Sequence, residues 1–196
     1  MRHWVGLLAI AGVLLGGPPA RAATYAIDKD HTSVSFKIRH LFSKVEGMFR
    51  DFEGTIDYEP AHPEQMKVAA TIQAASIDTR VEKRDTHLRS KDFFDVQQYP
   101  TIRFTSARVT DATAAGATLH GLLAIHGVER PVVLQVAMRG VGKDPWGNVR
   151  AGFTGTTTIN RKDFGLAWNQ TLETGQLLVG EEVEITLEVE GLQTSP

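Results

Sequence analysis

Residues 76–104 read SIDTRVEKRDTHLRSKDFFDVQQYPTIRF and interrupt a chain whose other segments mostly alternate apolar and polar side chains. Near the start of this segment, Thr79 and Glu82 have the spacing of a capping box, in which a hydroxyl and a carboxylate bind free N–H groups at a helix N-terminus. Pro100 limits how far the helix can continue. The sequence therefore predicts a short helical insertion at about residues 79–95 in a mainly β fold.

A second short turn is predicted at residues 92–95, with Ser90 as its N-cap. The insertion brings charged and aromatic side chains together, which would suit the rim of a site for an amphiphile. These side chains are Arg84, Asp85, His87, Arg89 and Asp92, beside Leu88, Phe93 and Phe94. The alternative is a solvated helix face with two aromatic side chains in the core, since charged helix faces commonly contact only water.

Apolar residues at every second position predict the strands. Residues 33–40 and 183–189 are the clearest examples, and the second of these has glutamates on its outer face. The alternation changes parity near residues 50–51, which predicts a bulge or a sharp bend there. About eight such segments, mostly joined by short loops, predict an antiparallel sheet that is closed into a barrel or folded as a sandwich.

An antiparallel barrel of about eight strands either fills its interior with side chains or holds one small ligand. Several positions predicted to face inward are small, which would leave room for a ligand beside phenylalanine rings. These positions are Gly47, Gly54, Ala70, Ala74, Gly121, Ala151 and Gly155. The alternative is that the glycines only allow the sheet to coil.

The N-terminus predicts export from the cytoplasm. Residues 1–4 are a short basic start, residues 5–15 are almost continuously apolar, and an A-x-A site ends at Ala22. This is the pattern of a secretory signal peptide at residues 1–22, cleaved after Ala22. The apolar run is shorter than the ~20 residues that span a bilayer. One domain, at residues 23–196, is therefore expected outside the cytoplasm.

Composition and missing motifs exclude several classes of function. The chain has no cysteine, which excludes disulfides, thiol catalysis and thiolate metal sites. Its formal net charge of −2 becomes more negative when Arg2 and Arg21 leave with the signal peptide, which argues against nucleic acid as a partner. Nucleophile-elbow, phosphate-loop and H-E-x-x-H motifs are absent. A histidine metal site is not predicted, because His31 and His40 differ in strand parity.

Two groups of side chains leave chemical alternatives open. His87 and Asp85 could form an acid/base pair, but residues two apart on a helix do not face each other. Within residues 160–165, Arg161 and Asp163 share parity and could form an ion pair that closes one end of the barrel. Alternatively, Arg161 offers a planar fork of donors to a phosphate or quinone oxygen.

Motifs along nearly the whole predicted domain resemble those of one family. The strongest is Thr79-x4-Arg84-Asp85-x-His87-Leu88-Arg89-Ser90-x-Asp92-Phe93-Phe94-Asp95-x3-Tyr99-Pro100-x-Ile102-x-Phe104. Others are Asp30-His31-Thr32-Ser33-Val34-x-Phe36, Asp144-Pro145-Trp146-Gly147-Asn148 and Asn160-Arg161-Lys162-Asp163-Phe164-Gly165-Leu166. In these motifs the chain resembles the YceI-like proteins, also called the polyisoprenoid-binding or lipocalin-like periplasmic family.

The resemblance implies an eight-stranded antiparallel lipocalin-like β-barrel, with a helix beside it and a long apolar tunnel for an isoprenoid chain or a similar amphiphile. It implies a periplasmic location, no metal and no catalytic residues. The expected ligand is an isoprenoid quinone, a polyprenyl phosphate or a fatty amide, with no other cofactor.

Burying hydrocarbon gains ~0.8 kcal/mol per CH₂ relative to water, but a membrane buries the same chain, so this gain nearly cancels when a lipid moves from a membrane to the protein. Selectivity must then reside in the length of the tunnel and in the polar groups at its mouth. The candidates for a head-group or gate role are Arg84, Asp85, His87, Arg89, Arg161, Asp163 and Asn169. The candidates for the lining are Phe36, Phe93, Phe94, Phe104, Phe153 and Trp168.

The first functional hypothesis is a non-enzymatic protein that binds, stores or carries such a lipid outside the cytoplasm. The alternatives are an accessory subunit of a membrane respiratory system and an enzyme that acts on a polyprenyl lipid through His87 and Asp85. Transient contact with the membrane or with a membrane respiratory protein is expected. An exposed sheet edge at residues 183–189 could support a homodimer, although glutamates there would equally protect the edge.

Overall fold

The computed structural model describes residues 22–195 of the chain, with side chains up to residue 194. The predicted signal peptide, residues 1–22, lies outside the described residues except for Ala22. Within the described part of the chain, no helix is long and apolar enough to cross a membrane.

Most of the described residues lie in strands, as the alternation of side chains predicts. The strands are β1 (Ala23–Ile27), β2 (Ser33–His40), β3 (Ser43–Phe49), β4 (Phe52–Tyr58), β5 (Lys67–Gln73), β6 (Ile77–Asp78), β7 (Thr101–Thr110), β8 (Gly116–Ile125), β9 (Val128–Lys143), β10 (Val149–Asn160) and β11 (Val179–Ser195). The helix α1 spans Glu82–Arg89. Short 3-10 turns lie at Lys29–His31, Pro63–Gln65, Ala74–Ser76 and Arg161–Phe164.

Eight of these strands close a barrel in the order β1, β4, β5, β7, β8, β9, β10, β11, and the pairing of β11 with β1 completes the circle. Each neighbouring pair is antiparallel. Closure removes the exposed edges of an open sheet. The predicted eight-stranded antiparallel barrel with one short helix is therefore confirmed.

Strand β11 is paired along both of its sides. It lies beside β10 on one side, and on the other side it pairs first with β2 and then with β1. Ile185, for example, is opposite both Thr157 and Phe36. The expected exposed edge at residues 183–189 is therefore wrong, because backbone groups on both sides of this segment are already used in the sheet.

The parity change near residues 50–51 marks a corner in the chain. Strand β3 ends at Phe49 and pairs with β2 and β6, whereas β4 begins at Phe52 and pairs with β1 and β5. The Arg50 N–H donates to the carbonyl oxygen of Ser76 at 3.1 Å, which anchors the corner. The change of partner strands explains why the inward positions shift by one residue here.

At the start of β10, Arg150 joins three carboxylates. Its guanidinium donates to Asp28 and Glu190 at 2.6 Å each and to Asp144 at 3.0 Å. The hydrogen bond from Arg150, followed by that from His31, lowers the pKa of Asp28 to about 2. These ion pairs tie the β1–β2 connection, the β9–β10 hairpin and β11 together at one end of the barrel.

Candidate functional site

The barrel encloses a cavity of about 670 Å³ with a mainly apolar lining. On β10 the lining includes Phe153 and Ile159, which are six residues apart, or about 20 Å along an extended strand. The volume lies within the roughly 300–1,000 Å³ that is common for small-molecule sites. A cavity that is elongated and apolar suits a hydrocarbon chain better than a compact polar ligand.

Aromatic rings form part of the wall and the far end of this cavity. The ring of Phe49 lies 5.9 Å from that of Phe36 and 5.8 Å from that of Phe94. Phe153 packs edge-on against Tyr58 at 5.1 Å, and both side chains are buried. This second pair lies near the end of the barrel that the ion pairs at the start of β10 hold together.

Two of the glycines predicted to leave room for a ligand make room for aromatic rings instead. A Cβ at Gly47 would lie 2.5 Å from Cζ of Phe36, and a Cβ at Gly121 would lie 2.5 Å from the ring of Phe104. Gly155, by contrast, lines the cavity directly. The space beside Gly47 and Gly121 is therefore filled by the protein's own rings, whereas the space beside Gly155 belongs to the cavity.

The cavity opens beside α1, where the exposed residues Val81 and Lys83 belong to its lining. The rings of His87, Phe93 and Trp168 contact one another there, with centroids 4.9 to 5.1 Å apart. This aromatic cluster joins α1 to the segment that precedes β11. We refer to these five residues as the mouth.

Most of the predicted site residues line the cavity. They are Phe36, Arg84, His87, Phe93, Phe94, Phe104, Phe153, Arg161 and Trp168. The sequence-based site did not include the aliphatic wall, although alternation placed its members inside the barrel. Alternation does not show which inward residues face free space and which face other side chains. This wall includes Val34, Val68, Leu123, Leu134, Ile185 and Leu187.

The other predicted site residues lie outside the lining. They are Asp85, Arg89, Asp163 and Asn169. Arg89 donates to the carbonyl oxygens of Ala75 and Ile77 at 2.9 and 3.0 Å, which fastens α1 to the chain before it. The Asn169 side chain donates to the Val179 carbonyl at 2.7 Å and accepts from the Val179 N–H at 3.0 Å. These two side chains position the mouth and do not face the space within it.

The N-terminus of α1 differs from the predicted capping box. Val81 is the N-cap residue, and the Glu82 carboxylate pairs with Arg89 at 3.2 Å. The N–H and the hydroxyl of Thr79 instead donate to the buried carboxylate of Asp85, at 2.9 and 2.5 Å. Asp85 is therefore a structural anchor of the helix.

Arg84 holds the same threonine from the other side. Its Nε donates to the Thr79 hydroxyl oxygen at 2.7 Å and its Nη2 donates to the Thr79 carbonyl oxygen at 2.8 Å. The guanidinium is half-buried and lines the cavity. Much of its donor capacity is therefore used to fix the loop before α1.

His87 and Asp85 do not form a pair. Nε2 of His87 lies 2.8 Å from the carboxylate of Asp92, and both of these side chains are exposed to solvent. Asp85 is instead directed toward Thr79. The arrangement agrees with the expectation that residues two apart on a helix do not face each other, and it leaves the acid/base alternative without its proposed partner.

Arg161, in the turn that follows β10, is buried, with 3% of its surface exposed. Its Nε donates to the Gly180 carbonyl oxygen at 2.8 Å, and its Nη1 donates to the Leu166 carbonyl oxygen. Its Nη2 is buried and has no hydrogen-bond partner among the described residues. Burial lowers the pKa of Arg161, because an apolar surrounding disfavours the charged form.

Of the two alternatives for Arg161, the ion pair with Asp163 is wrong. Strand β10 ends at Asn160, and Arg161–Phe164 is a 3-10 turn, so the parity rule for strands does not apply there. Asp163 is exposed, whereas Arg161 is buried. No ion pair joins the two side chains in the part of the chain that the structure describes.

A cluster of possible metal ligands lies at the end of the barrel opposite Arg161. Asp28, His31 and Glu190 place ligand atoms within 4.8 Å of one another. The guanidinium of Arg150 contacts both carboxylates, at 2.6 Å each. The two carboxylates of the cluster therefore already share a cation of the protein itself.

A closed antiparallel barrel with an elongated apolar cavity, whose mouth carries Lys83 and His87, defines the class of ligand-holding barrels, of which the lipocalins are one example. The chain belongs to the YceI-like family, since the model of the YceI-like domain matches residues 25–191. A UPF0312 protein of Ectopseudomonas mendocina is 41% identical over 196 residues, which cover 98% of this chain and 99% of that protein.

Solved structures share the architecture. Burkholderia cenocepacia BcnA is 25% identical and superposes with a TM-score of 0.74, over 84% of this chain and 98% of that one. A polyisoprenoid binding domain from Saccharophagus degradans, implicated in plant cell wall breakdown, has the same fold at 15% identity and a TM-score of 0.64, over 88% of this chain and 99% of that one.

Proposed function

We propose that the protein binds, stores or carries a long-chain amphiphilic lipid of the isoprenoid type, with the chain of the lipid inside the barrel. The observation that carries this proposal is the elongated apolar cavity with basic side chains at one end. Membership of the YceI-like family and the fold shared with a polyisoprenoid binding domain support an isoprenoid chain as the ligand.

The place of action is proposed to be the periplasm, on the strength of the predicted signal peptide at residues 1–22. A long hydrocarbon chain is unfavourable in that aqueous space by ~0.8 kcal/mol per CH₂. A protein that encloses the chain would let the lipid exist away from a membrane. The barrel supplies the enclosure, and contact with the membrane would be transient.

Selectivity is proposed to arise at the mouth and not along the wall. A membrane and the cavity both remove the chain from water, so the free energies of chain burial nearly cancel on transfer. The difference between ligands then depends on chain length and on polar contacts near the mouth. This explains why a largely aliphatic wall can serve a specific carrier.

The protein is proposed to bind without catalysing a reaction. The candidate acid/base groups are engaged elsewhere: Asp85 bonds to Thr79, and His87 bonds to Asp92 at the solvent-exposed surface of α1. The end of the cavity near Phe153 is lined mainly by hydrocarbon side chains, such as Ile56 and Val189, and the Thr32 hydroxyl is bonded to the backbone of Glu190.

Intact-protein mass spectrometry tests the proposal. Protein purified from cells without detergent is expected to carry an added mass that corresponds to one lipid per chain and that organic solvent removes. The solvent-extracted protein serves as the baseline. Repeated preparations that were never exposed to detergent and that carry no added mass would contradict lipid binding.

A further inference from the structure

The buried guanidinium of Arg161 is incompletely paired within an otherwise apolar lining. Two of its nitrogens bond to the carbonyl oxygens of Gly180 and Leu166, which fix the orientation of the group. Nη2 remains buried without a partner among the described residues, and Arg161 belongs to the cavity lining. A buried charge whose hydrogen-bonding capacity is unmet is costly, so this group calls for a partner that the described residues do not supply.

The charge of the lining indicates which kind of ligand would satisfy this group. Among the described lining residues, Lys83, Arg84 and Arg161 are cations, and Glu53 is the carboxylate. Two nitrogens of Arg84 already donate hydrogen bonds to Thr79. Arg161 has neighbouring carbonyl oxygens but no carboxylate at salt-bridge distance in the described part of the chain. The charge of Glu181 acts on it from farther away and offsets the effect of burial only in part, and the Glu181 carboxylate is already paired with Lys162 at 2.5 Å.

We infer that Nη2 of Arg161 binds an anionic oxygen, of a phosphate or a carboxylate, on the head group of the bound amphiphile. This inference rests on the proposed lipid binding and specifies the ligand's head group. The hydrocarbon chain then extends from Arg161 past Ile159 toward Phe153, a path of about 23 Å along β10 from its end at Asn160. The head group then contacts a buried residue of the cavity lining and not the exposed surface of α1.

Charge-assisted hydrogen bonds are stronger than neutral ones, and a guanidinium is matched to phosphate and carboxylate oxygens. The expected consequence is a preference for an anionic lipid over the alcohol with the same chain. The preference should be about tenfold or more, as one added hydrogen bond to a charged group would give.

The experiment compares the affinities of two matched pairs of ligands for the delipidated protein: geranylgeranyl phosphate with geranylgeraniol, and palmitate with hexadecanol. Wild-type protein is expected to prefer at least one anionic member. Arg161→Met should remove that preference by weakening binding of the anionic ligand more than binding of the matching alcohol, whereas Arg161→Lys should keep most of the preference. The pair that shows the preference identifies phosphate or carboxylate as the head group.

Arg139→Met is the matched control, because Arg139 lies on the outer face of β9 and bonds to Thr154 at 2.7 Å. It should leave both preferences unchanged. An anionic preference that is absent from wild-type protein, or that survives in Arg161→Met, would overturn the head-group assignment. Failure of folded wild-type protein to bind any of the four compounds would instead contradict lipid binding itself.

A measurement on wild-type protein covers the case in which Arg161→Met does not fold. The side-chain ¹⁵N resonances of Arg161 should shift when the preferred anionic ligand is added and should stay in place with the matching alcohol. Equal shifts with both ligands, or no shift with either while binding is saturated, would overturn the assignment.

Discussion

Gly155→Leu is expected to lower the affinity for a long-chain lipid by about 100-fold while the barrel stays folded. Gly155 lines the cavity between Phe153 and Thr157 on β10. A Cβ added there would lie 3.4 Å from Leu187 and 3.7 Å from Leu134, which are ordinary contacts. The remaining atoms of the leucine would enter the space of the ligand. Displacing three or four methylene groups at ~0.8 kcal/mol each gives the expected loss.

The fold should tolerate this change, because Gly155 is not among the glycines with positive φ. Replacing a strand glycine removes a destabilising effect of roughly 0.5–1 kcal/mol. Thr156→Leu is the matched control, since Thr156 is the next residue and is exposed on the outer face. Titration with geranylgeraniol, together with the melting temperature of each variant, measures both effects. Equal affinities in Gly155→Leu and Thr156→Leu would show that the ligand lies elsewhere.

Asp85→Ala is expected to destabilise the protein by about 2–4 kcal/mol, because it removes the acceptor of both the buried N–H and the hydroxyl proton of Thr79. Asp85 is 4% exposed, so water cannot easily replace the carboxylate. The loss should loosen the start of α1 and with it the mouth. Urea unfolding gives the change in free energy.

Asp92→Ala is the control for this substitution. Asp92 lies in the turn just after α1 but is exposed, and it contacts His87 at the surface. Surface changes of this kind are usually within about 0.5 kcal/mol. If the two variants lost the same small amount of stability, Asp85 would not be the anchor of the helix.

The strands could be predicted from sequence because alternation reports directly on which face is buried. The corner after Phe49 was predictable for the same reason, since the inward positions shift there by one residue. The residues that cap the N-terminus of α1 could not be predicted in this way. Arg80 has a φ of +66°, so the chain turns between Thr79 and the helix, and the carboxylate that reaches Thr79 is that of Asp85 and not that of Glu82.

Most of the side chains that line the cavity could be predicted from the sequence, but their contacts could not. Phe36 lies opposite Gly47 in the paired strands β2 and β3, and its ring fills the room that the glycine offers. Register between strands cannot be deduced from a single sequence, so the use of that room was not foreseeable. The possible ion pair between Arg161 and Asp163 rested on the alternation of side chains in a strand. Strand β10 ends at Asn160, so that alternation does not apply to these two residues.

A lipid chain inside the barrel would lie close to only one of the two tryptophans of the described chain, which allows a direct test. Trp168 lines the cavity, whereas Trp146 is 82% exposed in the β9–β10 hairpin and is not part of the lining. Single-tryptophan proteins that start at residue 23 can be made with Trp146→Phe or Trp168→Phe.

Titration of both proteins with dibromostearate, whose bromine atoms quench nearby indoles, gives the decisive measurement. Binding inside the barrel predicts saturable quenching of Trp168 at one lipid per chain and no saturable quenching of Trp146. Equal quenching of the two tryptophans, or quenching of Trp146 alone, would contradict it.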